Sequence, residues 1–519
     1  MKIDRIKEIL SEDSKNFEHL LRMYFSSKEK LNIYPKSINC IENQYFFIAR
    51  TGKEKSLYII FFNGQNSLAK KFSGRFIKSE QLEEDTFLLR CEMNNKNAGL
   101  IQEIFDFTRP VLIGKENSFG FGDRLGIATP GHIKAVENTG IKPIFAQQSI
   151  RELERTARTP EDVIGAAVWG VFQEGWKKGF GADADHLKTT NDIDIMARAG
   201  FTMFTIDPGA YVVNDAVRMN NQELTERTEK LPWDILEDSF GNFMKRYDSI
   251  KVDFSDDFSL IPDKKEILQG LVKYGEVIAH TASMYRHLKE KHANKPSEVE
   301  LSVDETDSPT TAFEHYMTVN ELKRLGVSLT SLAPRFIGSF EKGIDYKGDL
   351  EEFRKEYKKH VEISLKLGQY KISLHSGSDK FSVYKIIGES DAGKFHVKTA
   401  GTSYLEALRC IAMKSQPLFR EILDFSRDRY DTEKKSYHVS ADVKNVSPSD
   451  KLNNTELLTL FEHNDFREVL HVTFGKVLTT KAENGEYLFR DRIMSCLDEN
   501  ENTYYSLLEK HFKKHLKDL

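Results

Sequence analysis

Across residues 119–430 the chain alternates short apolar runs with longer stretches whose apolar residues recur every three to four positions. Short apolar runs bounded by turn residues predict strands, and the longer period predicts amphipathic helices. Their alternation predicts parallel strands joined by helical crossovers. Eight strands are expected, at 119–128, 142–147, 182–186, 201–207, 298–303, 328–333, 371–374 and 395–398. Eight such units close a (β/α)8 barrel.

The helices between the strands carry start signals. Thr159-Pro160-Glu161-Asp162 offers an N-cap followed by proline at the first helical position, and Val163, Ile164, Ala167, Val168, Val171 and Phe172 then form one apolar stripe. Asp349-Leu350-Glu351-Glu352 reads as a capping box with Asp in the Ser/Thr position, and Ser308-Pro309 as another helix start. Residues 1–112 have a different texture. Ile3, Ile6, Ile9 and Leu10 fit a helix, and β-rich runs at 44–50, 56–63 and 86–92 fit an antiparallel meander. The fold class is therefore α/β: a TIM-like barrel over 113–430, preceded by an α+β domain and followed by a helical extension over 431–519. The stretch 210–297 interrupts the barrel; its length suits a lid or a subunit contact, which leaves a homo-oligomer open.

Composition narrows the class. Of 519 residues, 39% are hydrophobic and 30% charged, and the net charge of −5 argues against a nucleic-acid protein driven by phosphate contacts. No apolar run is long enough for a membrane span, and the N-terminal residues carry charges where a signal peptide needs an apolar core. The four cysteines lack paired spacing, so neither a disulfide framework nor a cysteine zinc site is expected. A cytoplasmic enzyme with a small-molecule substrate is the expectation.

The chemistry sits where the strands end. Asp185, His186, Asp207, Asp304, Glu305, Arg335, His375, Lys380, His396 and Lys398 lie at or just past the ends of six of the eight expected strands, and in a barrel those ends converge on one mouth. Burying so many charges without a task is costly. His186 and His375 suit a divalent metal, with Glu341, His396 or Glu305 as third ligand; imidazole and carboxylate donors admit zinc, nickel, manganese, cobalt or iron. Asp185 and Glu305 are the best base and acid pair. Successive strand residues face opposite ways, so Asp185 and His186 share a site only if the chain turns there. Lys188, Arg335, Lys380, His396 and Lys398 would bind the substrate, and their cations suit an anionic one. Neither a phosphate-binding glycine loop nor a Gly-x-Ser-x-Gly elbow is present.

Ordered motifs add a resemblance. Phe119-Gly-Phe-Gly-Asp-Arg-Leu-Gly126, Ala128-Thr-Pro-Gly-His132, Phe145-Ala-Gln-Gln-Ser149, Gly181-Ala-Asp-Ala-Asp-His-Leu-Lys188, Phe204-Thr-Ile-Asp-Pro-Gly209, Ser302-Val-Asp-Glu-Thr-Asp-Ser-Pro309, Phe340-Glu-Lys-Gly-Ile-Asp-Tyr346 and Leu374-His-Ser-Gly-Ser-Asp-Lys-Phe381 together resemble the tagaturonate/fructuronate epimerase family. The resemblance implies a divalent-metal enzyme of hexuronate catabolism that interconverts D-tagaturonate and D-fructuronate. It implies Asp185 as proton acceptor, Glu305 as proton donor, and His186, His375 and Glu341 as metal ligands.

Overall fold

A computed structural model of the chain describes residues 31–62, 68–77, 86–390 and 393–519. The helix expected around Ile3–Leu10 lies outside these residues. The first sheet contains β1 (Leu31–Ile33), β2 (Asn39–Ile41), β3 (Gln44–Thr51), β4 (Glu54–Phe62), β5 (Gly74–Ile77) and β6 (Thr86–Cys91). It is antiparallel throughout, in the order β1-β3-β4-β6-β5 with β2 on β3. The expected runs at 44–50, 56–63 and 86–92 do lie side by side and antiparallel as β3, β4 and β6, but the sheet is not a simple meander, because β5 pairs on the far side of β6 and β1 pairs β3.

The barrel strands follow as β7 (Ser118–Phe121), β8 (Lys142–Ser149), β9 (Gly181–Leu187) and β10 (Met203–Ile206). A hairpin of β11 (Val252–Ser255) and β12 (Phe258–Leu260) intervenes before β13 (Glu298–Ser302), β14 (Ser331–Ala333), β15 (Lys371–Leu374) and β16 (Phe395–Thr399). The eight barrel strands pair in parallel, each with its neighbour in sequence, and β16 closes on β7. The expected (β/α)8 barrel is the observed one.

Local corrections have local causes. The first barrel strand stops at Phe121 rather than running to Ala128. There the Asp123 carboxylate accepts hydrogen bonds from the N–H groups of Leu125, Gly126 and Ala128, which curls the chain into a loop. Ser308-Pro309 does not open a helix. The helix Ala312–Arg324 starts behind Thr311, whose hydroxyl pairs with the Glu314 N–H in a reciprocal capping box. Asp349 caps its helix alone, accepting from the N–H groups of Glu351 and Glu352. At Thr159 the expected N-cap and first-turn proline form, and Asp162 adds a reciprocal bond that makes it a capping box.

Within 210–297 lie two short α-helices (Asn221–Thr228 and Phe240–Tyr247), the β11–β12 hairpin and the helix Lys264–Lys291, which is the crossover from β10 to β13 and packs on the helix Ala312–Arg324. The last helix, Glu501–Leu516, packs against the helix Thr129–Val136 at the barrel wall. A Cβ on Gly131 would lie 2.7 Å from Leu508 Cδ1, so glycine is what permits that approach. Among the described residues no helix is long and apolar enough to cross a membrane.

Candidate active site

Along the inward faces of β9, β13, β15 and β16, polar residues recur at every second position: Asp183 and Asp185, Glu300 and Ser302, Ser373 and His375, His396 and Lys398. All are buried. Lys398 is the hub of this interior. Its Nζ donates to Asp185 Oδ1 at 2.8 Å and to Thr205 Oγ1 at 2.6 Å, and lies 2.7 Å from Asp183 Oδ2 and 2.8 Å from Glu300 Oε1. Burial opposes its charge, but these carboxylates outweigh it and hold the ammonium well above its ordinary range.

Asp185 and His186 reach the same site because β9 bulges between them. Against β10, Phe204 pairs with Ala184 while Ile206 pairs with Leu187, so β9 carries one extra residue. His186 takes it up with a left-handed φ of 53°, rare for a residue with a side chain. The imidazole then folds back on its neighbour, with Nδ1 2.9 Å from Asp185 Oδ1. The turn that the sequence required is present, and it is strained.

His375, just past β15, meets the other side. Its Nε2 lies 2.7 Å from Glu300 Oε1 and its Nδ1 3.3 Å from Asp304 Oδ1. The rings of His186 and His375 are 5.1 Å apart, centroid to centroid. One ligand atom each from Asp185, His186 and His375 falls within 4.8 Å of the others. Asp304 Oδ1 also sits 3.6 Å from His186 Nε2, which is buried and has no hydrogen-bond partner.

Charge explains the state of these groups. Asp183, Asp185 and Glu300 share Lys398, while Asp304 faces the two imidazoles, a place that protonated imidazoles or a metal cation would fill. Burial raises the Asp185 carboxyl, but His186 and then Lys398 overcome that and hold it well below its ordinary range. Burial lowers His186, and Asp185 more than reverses it, so the imidazole is held well above its usual value. His375 is pushed up to about 9, against burial, chiefly by Asp304.

The other expected residues fall in several places. Glu305 is 44% exposed, beside Arg151 at 3.4 Å. It lines a second cavity with Arg335, and that cavity shares Asp304, Lys342, His375, Ser376 and Tyr437 with the one containing Asp185. Glu341 is not among the clustered donors. Its carboxylate accepts from Ser440 Oγ at 2.5 Å and Lys347 Nζ at 3.0 Å, facing the C-terminal extension. Lys380 is fully buried, and its Nζ donates to the carbonyls of Glu341, Ile344 and Ser378, so it fastens loops. His396 lies deeper in the barrel, with Nδ1 3.0 Å from Ser118 Oγ. Lys188 is exposed, 3.5 Å from Asp207.

Sequence reasoning missed several residues of the cavity walls. Arg124, Arg151, Lys342, Tyr437 and His471 all line the cavity. Tyr437 and His471 arrive from the C-terminal extension. A Cβ on Gly401 would lie 1.9 Å from His471 Cε1, so the glycine after β16 makes room for that ring. Asp183 and Glu300 did leave a signal, as acids inside otherwise apolar strands.

A parallel eight-stranded barrel with strained, charge-crowded side chains at its carboxyl mouth defines an enzyme of the TIM-barrel class. The tagaturonate epimerase (UxaE) family profile matches residues 34–519. The tagaturonate/fructuronate epimerase of Thermotoga maritima is 42% identical over 488 residues, covering 93% of this chain and 96% of that one. Crystal structures of the fructuronate-tagaturonate epimerase UxaE from Cohnella laeviribosi superpose with a TM-score of 0.88 at 34% identity. The form with one glycerol covers 98% of this chain and 99% of that one, and the native form 97% and 99%. The chain belongs to the tagaturonate epimerase family.

Proposed function

We propose that this chain interconverts D-tagaturonate and D-fructuronate at the barrel mouth, with a divalent cation held by His186 and His375 and completed by Asp304. The observation that carries the cation is the pair of imidazoles converging on the Asp304 oxygen, one with an unpartnered buried nitrogen. When bound, such an ion supplies positive charge to a ketone oxygen of the substrate. Zinc, nickel, manganese, cobalt and iron all suit the donors. Choosing Asp304 rather than Asp185 as the third ligand leaves Asp185 free for proton transfer.

In these keto-uronates the inverted carbon is one removed from the carbon next to the ketone, so its C–H is not acidified and simple enolisation does not invert it. Cleavage and re-formation of a C–C bond does. Asp185 takes the hydroxyl proton of the inverting carbon as its C–O becomes C=O, and the electron pair of the broken C–C bond passes into the ketone half as an enediolate. The aldehyde turns and the bond re-forms on its other face; the new alkoxide takes a proton that Glu305, 44% exposed and kept ionised by the cations beside it, relays from water, and Asp185 releases its proton to solvent. Arg335 and Lys342, in the walls of the cavities, suit the substrate carboxylate. Four unpaired cysteines accord with a reducing compartment, and we place the activity in the cytoplasm.

The test is purified protein with tagaturonate. Fructuronate should appear, disappear after EDTA, and return with added metal. No conversion with metal restored refutes the substrate; deuterium on carbon after reaction in heavy water refutes the C–C cleavage.

A further inference from the structure

Among the described residues, two further histidine–carboxylate groups each bring three ligand atoms within 4.8 Å: Asp194, His287 and His292, and Asp379, His511 and His515. The second is closed. His515 Nε2 already accepts the Asp379 backbone N–H at 3.0 Å, His515 Nδ1 lies 3.1 Å from the His511 carbonyl, and Arg467 pairs with Asp379 at 2.7 Å. A cation there would displace a guanidinium and a main-chain hydrogen bond.

The first is different. Asp194 lies on the barrel's outer helix Thr190–Ala199; His287 lies near the end of the helix Lys264–Lys291, and His292 is that helix's C-cap. Both Nε2 atoms point at one oxygen, Asp194 Oδ1, from 2.9 and 2.7 Å. Opening these contacts by a few tenths of an ångström gives the roughly 3.3 Å donor spacing that bonds of about 2.0 Å at tetrahedral angles require. The side chains are 12–30% exposed, so an ion can enter and water can fill the remaining position. The helix C-terminus at His292 favours positive charge. The nearby ammonium groups are committed elsewhere: Lys289 to Ser297, and Lys295 to the Ala197 carbonyl.

We propose that Asp194, His287 and His292 form a second metal site, for a transition-metal dication such as Zn2+, that clips two outer helices of the barrel together. Two imidazoles and one carboxylate select such an ion over calcium or magnesium, which prefer all-oxygen shells. Nothing in the rim chemistry uses these residues, so the site is structural.

The test is Zn2+ binding to the full chain after chelator dialysis, followed by calorimetry and thermal melting. It compares wild type, H287A/H292A, the milder D194N, and H186A/H375A. H287A/H292A is expected to bind about one Zn2+ fewer per chain than wild type, to lose part of the Zn2+-induced rise in Tm, and to keep epimerase activity. D194N should weaken the same ion while melting like wild type in EDTA, which separates lost ligation from lost folding. H186A/H375A should retain the outer ion. If the rim holds no metal, wild type binds a single ion and H287A/H292A removes it, so the two readings fail independently. Equal Zn2+ stoichiometry and affinity in wild type, H287A/H292A and D194N overturns the proposal.

Discussion

Four residues past His375, Asp379 anchors a cluster built from the same residue types as the rim, yet the two have opposite characters. At the rim, His186 Nε2 lacks a hydrogen-bond partner and the donors face a cavity. At Asp379, His511 bridges two carboxylates, with Nε2 2.5 Å from Asp379 Oδ1 and Nδ1 3.2 Å from Glu406 Oε1, while Arg467 balances the charge and all are buried. Residue type alone therefore does not make a site. Access to a cavity does, whereas the same side chains enclosed and ion-paired with one another become a fastening for the last helix.

Substitutions sharpen that contrast. The largest effect is expected at the rim: Asp185→Asn should lower kcat by about 10²–10⁴-fold with metal content intact, whereas Asp304→Asn should lose the metal as well. Kinetics with metal analysis checks this, and metal retained by Asp304→Asn removes Asp304 from the ligand set. Next is Lys398→Met, which strands Asp183, Asp185 and Glu300 without their shared cation. It should cost roughly 3–5 kcal/mol by denaturant unfolding, and a near-neutral result would mean that those carboxyls take up protons freely.

His511→Ala should lower Tm and leave rim metal content unchanged, the reverse of His186→Ala; parallel losses in both variants would merge the two clusters into one unit. The smallest effect concerns Glu468, pushed up to about 7 by burial and by Glu341 beside it. Its folded value exceeds its unfolded one, so its stabilising contribution is full below the ordinary carboxyl value and is lost as pH rises through about 7. Glu468→Gln should flatten Tm against pH over that window, and parallel curves would show that the proton is not there.

The barrel was legible because each strand is a short apolar run ended by turn residues, a local signal. Its boundaries slipped where side chains recruited the backbone, as Asp123 did after Phe121 and Thr311 did ahead of Ala312. The meeting of His186 and His375 was legible because both imidazoles sit at strand ends. Lys380 was misjudged because a lysine beyond a strand has the same letters whether it faces substrate or three carbonyls.

The sequence by itself determined the eight-unit barrel and the rim that its strand ends share, because hydrophobic periodicity and turn chemistry act between near neighbours. Tertiary structure alone decided that Lys398 locks three acids, that Glu341 turns toward Ser440, and that Tyr437 and His471 wall the cavity. Those outcomes depend on charge balance and packing between segments far apart along the chain, where no spacing rule reaches.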